Sequence, residues 1–195
     1  MTNVEIALAY LEKGLSVIPL KSPEIVKRSP KFKEKVENAW KENDLKGNPR
    51  TKEEVYRELF YRECKLPIIP WKDFQKRRQT KEEVFHWFSM YHDPAIRIVT
   101  GVVSGLAVFD LDSPDAVKFA EEQGGFPDSV KVKTGKGYHV YMRHPGFEIR
   151  NSVNKRLDID IRADGGYVVA GYTKLVGADY NEAWVLKMYY SVNLT

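Results

Sequence analysis

The sequence predicts an α+β fold, with helices early and a mostly antiparallel sheet late. Three observations predict it. Thr-x-x-Glu capping boxes at Thr2, Thr51 and Thr80 each precede apolar residues at helical spacing. From residue 95 onward the texture changes to short runs rich in Val, Ile, Phe and Tyr. Tight Gly-bearing turns, Gly135-Lys136-Gly137 and Asp164-Gly165-Gly166, separate several of those runs, as hairpins require.

The elements follow in order. After Thr2 the residues Ile6, Leu8, Tyr10 and Leu11 predict a helix that Gly14 stops. "LSVIPL" (15–20) reads as a short strand ending near a proline. Residues 21–50 carry many Lys and Glu, several prolines and few large apolar residues. They read as a variable insertion, partly helical around 31–42. Thr51 opens a helix with Val55, Leu59 and Phe60, and "LPIIPW" (66–71) is extended. Thr80 opens a helix whose Val84, Trp87, Phe88 and Tyr91 belong to the core. "AIRIVTG" and "GLAVFDLD" are strands. Ser113 is an N-cap, Pro114 fits the first helical position and Asp115 suits the dipole, so a helix runs to Gln123 and stops at Gly124-Gly125. "SVKVKT", "YHVYMRH", "LDIDIR" and "YVVAGY" are four further strand candidates.

With 195 residues, 43% of them hydrophobic, the chain suits one core domain with an elaboration. No apolar run reaches the ~18 residues of a membrane span, and "MTNVEIALAYLEKG" has neither a basic start nor a cleavage site. Cys64, the single cysteine, excludes an intramolecular disulfide and a Cys-rich zinc site. A cytoplasmic location is the expectation. The net charge of +4 is uneven: residues 21–81 carry 18 Lys+Arg and 10 Asp+Glu, a balance of +8, and the remainder −4. A basic segment of this kind meets phosphates or forms a solvated helical face, and charge alone favours the second.

Candidate chemistry begins with "GLAVFDLDSPDA" (105–116), where an apolar run ends in Asp110 and Asp112. Alternation along a strand puts both carboxylates on one face, ~7 Å apart. Like charges so placed repel unless a cation sits between them, and hard oxygen ligands suit Mg²⁺ or Mn²⁺. In "LDIDIR", Asp158, Asp160 and Arg162 share the face opposite Leu157, Ile159 and Ile161. If the two strands are neighbours, three or four carboxylates converge as in phosphoryl or nucleotidyl transfer. A polar strand face accounts for either pair by itself, and the presence of both leaves the two readings level. In "KVKTGKGYHVYMRH", Lys131 and Lys133 share a face before a turn whose amides are suited to phosphate. It is not a P-loop: Val130 stands five residues before Gly135, and Gly137 stands where Ser or Thr is needed. His139 shares a face with Tyr141, while His86, His92 and His144 read as structural.

Three motifs in this order resemble the catalytic domain of bifunctional primase-polymerases (Prim-Pol), of the archaeo-eukaryotic primase superfamily in plasmid and phage replication proteins. They are "GVVSGLAVFDLDS", "TGKGYHVYM" and "LDIDIRADGGYVVAGY", with weaker echoes in "LEKGLSVIPL" and "KLPIIPWKDFQKRRQTKEEVFHWF". The likeness spans most of residues 3–184. It implies a single domain over 1–195, with a basic insertion at about 21–63. Its core would be an RRM-like antiparallel sheet beside a smaller N-terminal αβ unit. It implies that Asp110, Asp112 and Asp160 are catalytic and hold two ions, Mg²⁺ or Mn²⁺. His139 would contact the incoming nucleotide's phosphates, with Lys133, Thr134, Gly135, Gly137 and Arg162 as triphosphate neighbours. Asp158 is an extra acid rather than a ligand.

The implied reaction is template-directed transfer from a nucleoside triphosphate to a 3′-hydroxyl with pyrophosphate release. Implied partners are a single-stranded DNA template and primer, nucleoside triphosphates and a helicase or accessory helical domain, with no membrane. Trp40, Trp71, Tyr56 and Tyr61, interleaved in the basic segment, would stack template bases or serve the core. There are departures. Gly137 stands where the family often has Ser, "AGYTKL" replaces a proline-rich segment, and one cysteine cannot build a zinc stem. Helicase regions of larger members are missing, so an excised domain or a stand-alone catalytic protein is expected.

Two other readings compete. "AVFDLDS" looks like the opening strand of a haloacid-dehalogenase-type phosphatase, with Asp110 as nucleophile and Asp112 as general acid. The late position, Ser113-Pro114 in place of Gly-Thr, and the weak strand–helix alternation count against it. A catalytically inactive nucleic-acid-binding module is the third, and the acidic trio with His139 argues against it.

Overall fold

A computed structural model describes residues 2–47, 50–91, 94–126 and 129–171, and the backbone of three later strands. In chain order the elements are α1 (Asn3–Glu12), β1 (Ser16–Pro19), α2 (Pro23–Arg28), α3 (Pro30–Leu45), α4 (Lys52–Glu63), α5 (Lys81–Met90), β2 (Ile96–Val99), β3 (Leu106–Leu111) and α6 (Pro114–Glu122). Then come β4 (Val130–Lys133), β5 (Tyr138–Arg143), β6 (Ser152–Asn154), β7 (Ile159–Arg162), β8 (Tyr167–Val169), β9 (Lys174–Val176), β10 (Ala183–Val185) and β11 (Met188–Tyr189). The fold is α+β.

The three capping boxes form as the sequence predicts. Thr2, Thr51 and Thr80 each accept from the amide three residues on, and Glu5, Glu54 and Glu83 accept the cap amides at 2.7, 2.8 and 2.9 Å. These contacts satisfy amides that would otherwise lack partners at each helix start. α1 and α5 cover one face of an antiparallel sheet ordered β1-β2-β8. Val17, Ile96, Ile98 and Val168 from the sheet meet Ala7, Tyr10, Val84 and Phe88 from the helices.

Between β1 and α5 the chain leaves and returns at one place. Lys21 N–H donates to Leu66 O at 2.9 Å, and Ile68 N–H donates to Pro19 O at 3.0 Å. The excursion is more helical than expected. Ser22 and Ser29 cap successive helices that each begin with proline, and α3 runs to Leu45. Val26, Phe32, Val36, Phe60 and Cys64 form a cluster of their own under α2, α3 and α4.

The larger sheet is ordered β11-β4-β5-β3-β7-β6, and all its pairings are antiparallel. Alternation gives β3 two working faces. Phe109 and Leu111 lie under α6 with Val140 and Ile159. Leu106 and Val108 turn the other way, into the core shared with α1 and α5. Asp110 continues that second row to the point where the core ends.

Four expectations change. The smaller αβ unit takes its third strand from residues 167–169, so it is not built from the N-terminal region alone. β6 escapes a pattern search because all three of its residues are exposed. Asp158 lies in a turn at φ 50°, so strand alternation does not carry it onto the Asp160 face. The phosphatase reading is overturned, because it needs its aspartate strand in a parallel, doubly wound sheet. β3 instead pairs antiparallel on both sides. No helix among the described residues is long and apolar enough to cross a membrane.

Ile98 is fully buried. Ile98→Ala is expected to cost about 2–5 kcal/mol in urea unfolding. Val153→Ala, on the exposed β6, should stay within about 0.5 kcal/mol.

Candidate active site

Register builds the site. Asp110 pairs with His139 on one side and with Asp160 on the other, so the three side chains stand in one row across β5, β3 and β7. Asp112 follows the end of β3, where its N–H donates to Asp158 O at 2.9 Å. That bond ties the strand end to the turn before β7. One carboxylate oxygen from each of Asp110, Asp112 and Asp160 lies within 4.8 Å of the others. Asp160 is buried, Asp110 half-buried and Asp112 exposed.

Each carboxylate has a different environment. Arg162 Nη2 donates to Asp160 Oδ2 at 2.6 Å. His139 Nε2 lies 3.3 Å from Asp110 Oδ1, without hydrogen-bond geometry. Burial alone would raise the Asp110 carboxyl, but His139 and the Arg162 charge outweigh it, and the net shift is downward. Asp112 is shifted upward, first by burial and then by the charges of Asp110 and Asp160. Asp110 Oδ1 is a buried acceptor with no hydrogen-bond partner among the described residues. An orphan oxygen beside two more carboxylates fits a hard divalent cation such as Mg²⁺ or Mn²⁺.

Asp110 and Asp112 line a cleft of about 770 Å³, while the buried Asp160 beside them does not line it. Of the other expected site residues, His139, Thr134, Gly135 and Arg162 line it. Thr134 Oγ1 accepts from Gly137 N–H at 3.0 Å and Lys136 N–H at 3.4 Å, so those amides are engaged within the turn. Gly137 does not line the cleft. A Cβ there would fall on the Leu111 carbonyl, which accounts for the missing side chain at that position. Lys133 is a correction. It pairs with Tyr138 whereas Val132 pairs with His139, so Lys133 faces the α6 side of the sheet and does not line the cleft.

Among the aromatics, Tyr61 and Trp71 reach the cleft. Tyr56 stacks on Phe60, and Trp40 lies under Lys52 at 5.4 Å. His144 is buried with Nε2 3.1 Å from Asp164 Oδ2, a structural pairing, and His86 is exposed. His92 lies outside the described residues. Lys136, within the expected turn, lines the cleft as well, and sequence reasoning missed Lys65, Arg97 and Tyr167, which also line it. Only Arg97 carried a signal: a lone charge within "AIRIV".

The upward shift of Asp112 has a definite sign. Its ionised form lowers stability at neutral pH, and that cost is relieved as pH falls through the raised folded value. Asp112→Asn is therefore expected to raise the thermal midpoint in ion-free buffer at neutral pH. Mn²⁺ at a hundred times its dissociation constant should stabilise the wild type by about 2.7 kcal/mol, and the variant by less. A lowered midpoint for the ion-free variant would contradict this charge balance.

Comparison with curated proteins finds no match. Comparison with family models matches residues 7–186 to Prim-Pol, described as bifunctional DNA primase/polymerase, N-terminal. The matched span contains both sheets' central strands, Asp110, Asp112, His139 and Asp160. At family level this points to a nucleotidyltransferase-type enzyme that handles nucleic acid and nucleotides. With nearly the whole chain covered and the acidic row assembled at one cleft, the chain belongs to the Prim-Pol family.

Proposed function

We propose that this chain is a template-directed primase-polymerase. A 3′-hydroxyl attacks the α-phosphorus of a nucleoside triphosphate in line, and pyrophosphate leaves. The observation that carries this reading is the convergence of Asp110, Asp112 and Asp160 within 4.8 Å at the edge of a large cleft. Divalent ions held there would neutralise the triphosphate and lower the pKa of the attacking hydroxyl.

The chain's own residues have distinct tasks. His139 is fixed across from Asp110 by strand register and lines the cleft, which supports a role for its ring as donor to a phosphate oxygen. Asp160 holds Arg162 by one nitrogen, leaving further donors for developing charge on the phosphates. Lys136 adds a flexible cation at the turn. Tyr61 and Lys65 bring the end of the basic excursion to the same cleft, where Lys65 Nζ lies 3.8 Å over the Tyr61 ring. A cation with aromatic faces suits a single-stranded template, by backbone attraction and base stacking.

Primer extension on a single-stranded DNA template with Mg²⁺ or Mn²⁺ and dNTPs tests the reading. Extension with pyrophosphate release is expected, falling by at least ~10²-fold in Asp110→Ala/Asp112→Ala, the scale of losing preorganised charge stabilisation. Strand binding without extension would favour the inactive binding module instead.

A further inference from the structure

Arg97 has no part in the chemistry above. It is the one charged residue of β2 and is only 6% exposed. Register puts it on the same sheet face as Ile18 and Val169, away from α1 and α5. Its guanidinium lies 3.9 Å over the Tyr167 ring, and Trp71 meets that ring edge-on at 4.7 Å. Nε and Nη1 are buried without a hydrogen-bond partner among the described residues. Among the described residues, the charged neighbour that acts on it, Arg162, has the same sign.

A buried cation with no counter-ion destabilises a fold. Burial brings the Arg97 pKa down to about 10, which still leaves it charged at neutral pH. Such a group persists where an occupant supplies the anion. Arg97 opens into the cleft that Asp110 and Asp112 line, and Lys65, Lys136 and Arg162 line it as well. The local field therefore favours a negative group. The planar guanidinium suits phosphate, and the aromatic faces of Trp71 and Tyr167 beside it suit a nucleobase.

We propose that Arg97 is the receptor for a phosphate group of the cleft's occupant, held without help from the divalent ions. The phosphate belongs to a nucleoside triphosphate or to the backbone of a nucleic-acid strand. This inference rests on the cleft handling nucleotides and does not need the polymerase reaction.

The test uses the full chain in EDTA, with fluorescence anisotropy and thermal melting. The probes are a fluorescent dATP analogue and a fluorescein-labelled single-stranded oligodeoxynucleotide. Arg97→Met should weaken one probe about tenfold or more, the scale of one charged hydrogen-bonding contact. Arg97→Lys should weaken it less. The probe that weakens identifies the source, and for the strand the salt slope should also fall by about 0.7. Without ligand, Arg97→Met should melt at or above the wild-type midpoint, because it removes a buried charge that has no counter-ion among the described residues. The inference is overturned if the wild type binds neither probe without ions, or if Arg97→Met leaves both affinities within twofold. A midpoint lowered by several degrees would also overturn it, by marking Arg97 as structural. Loss of primer extension with these results intact would remove the polymerase reading and keep the receptor.

Discussion

Asp110 stands directly across from both His139 and Asp160 because β3 pairs antiparallel on each side. That register is a constraint with a cost. It gathers carboxylates that repel, and Asp112, drawn in by its amide bond to Asp158, adds another. The surroundings offset the repulsion unevenly. Arg162 binds Asp160 and His139 faces Asp110, while Asp112 keeps a raised pKa. The fold tolerates this row because the same strand is anchored elsewhere. Leu106 and Val108 are buried under α1 and α5, and Phe109 and Leu111 pack on α6. A strand held on both faces can present a strained charge cluster at its end without slipping, since a one-residue slip would turn every side chain over.

The second sheet contributes to the same cleft. β8 joins β1 and β2, and Tyr167 and Arg97 line the cleft together with Asp110 and Asp112. Carboxylates, cations and aromatic rings therefore share one lining. The helical excursion enters the same geometry at its root. Its ends are hydrogen-bonded together at Lys21 and Leu66, and Lys65 lies one residue from that closure. The position of Lys65 is therefore set by the sheet, whatever the rest of α2 to α4 does.

Legibility in the sequence followed the range of the interactions. The capping boxes are local, and all three helices formed where Thr2, Thr51 and Thr80 predicted. Asp110, Asp160 and His139 were legible because strand alternation needs only a few residues of context. Lys133 was misplaced for the same kind of reason. Parity across a hairpin depends on the turn between its strands, and Thr134–Gly137 put Val132, not Lys133, opposite His139. Asp158 also broke alternation, by adopting a positive φ in a turn. Arg97 and Tyr167 are seventy residues apart in sequence, and their stacking depends on β2 and β8 being neighbours. No pattern within either segment encodes that adjacency. The start of α3 was written in Ser29-Pro30, an N-cap and first-position pair like Ser113-Pro114, whereas its last residues to Leu45 carry no stop signal at 42.

Direct titration of Mn²⁺ by electron paramagnetic resonance is the most incisive measurement, because it reads the acidic row without any substrate. The wild type should bind Mn²⁺ saturably, Asp160→Asn should lose at least about tenfold in affinity, and Asp158→Asn should bind nearly as the wild type does. Unchanged binding in Asp160→Asn, or an equal loss in Asp158→Asn, would contradict a metal site built by the β5-β3-β7 register.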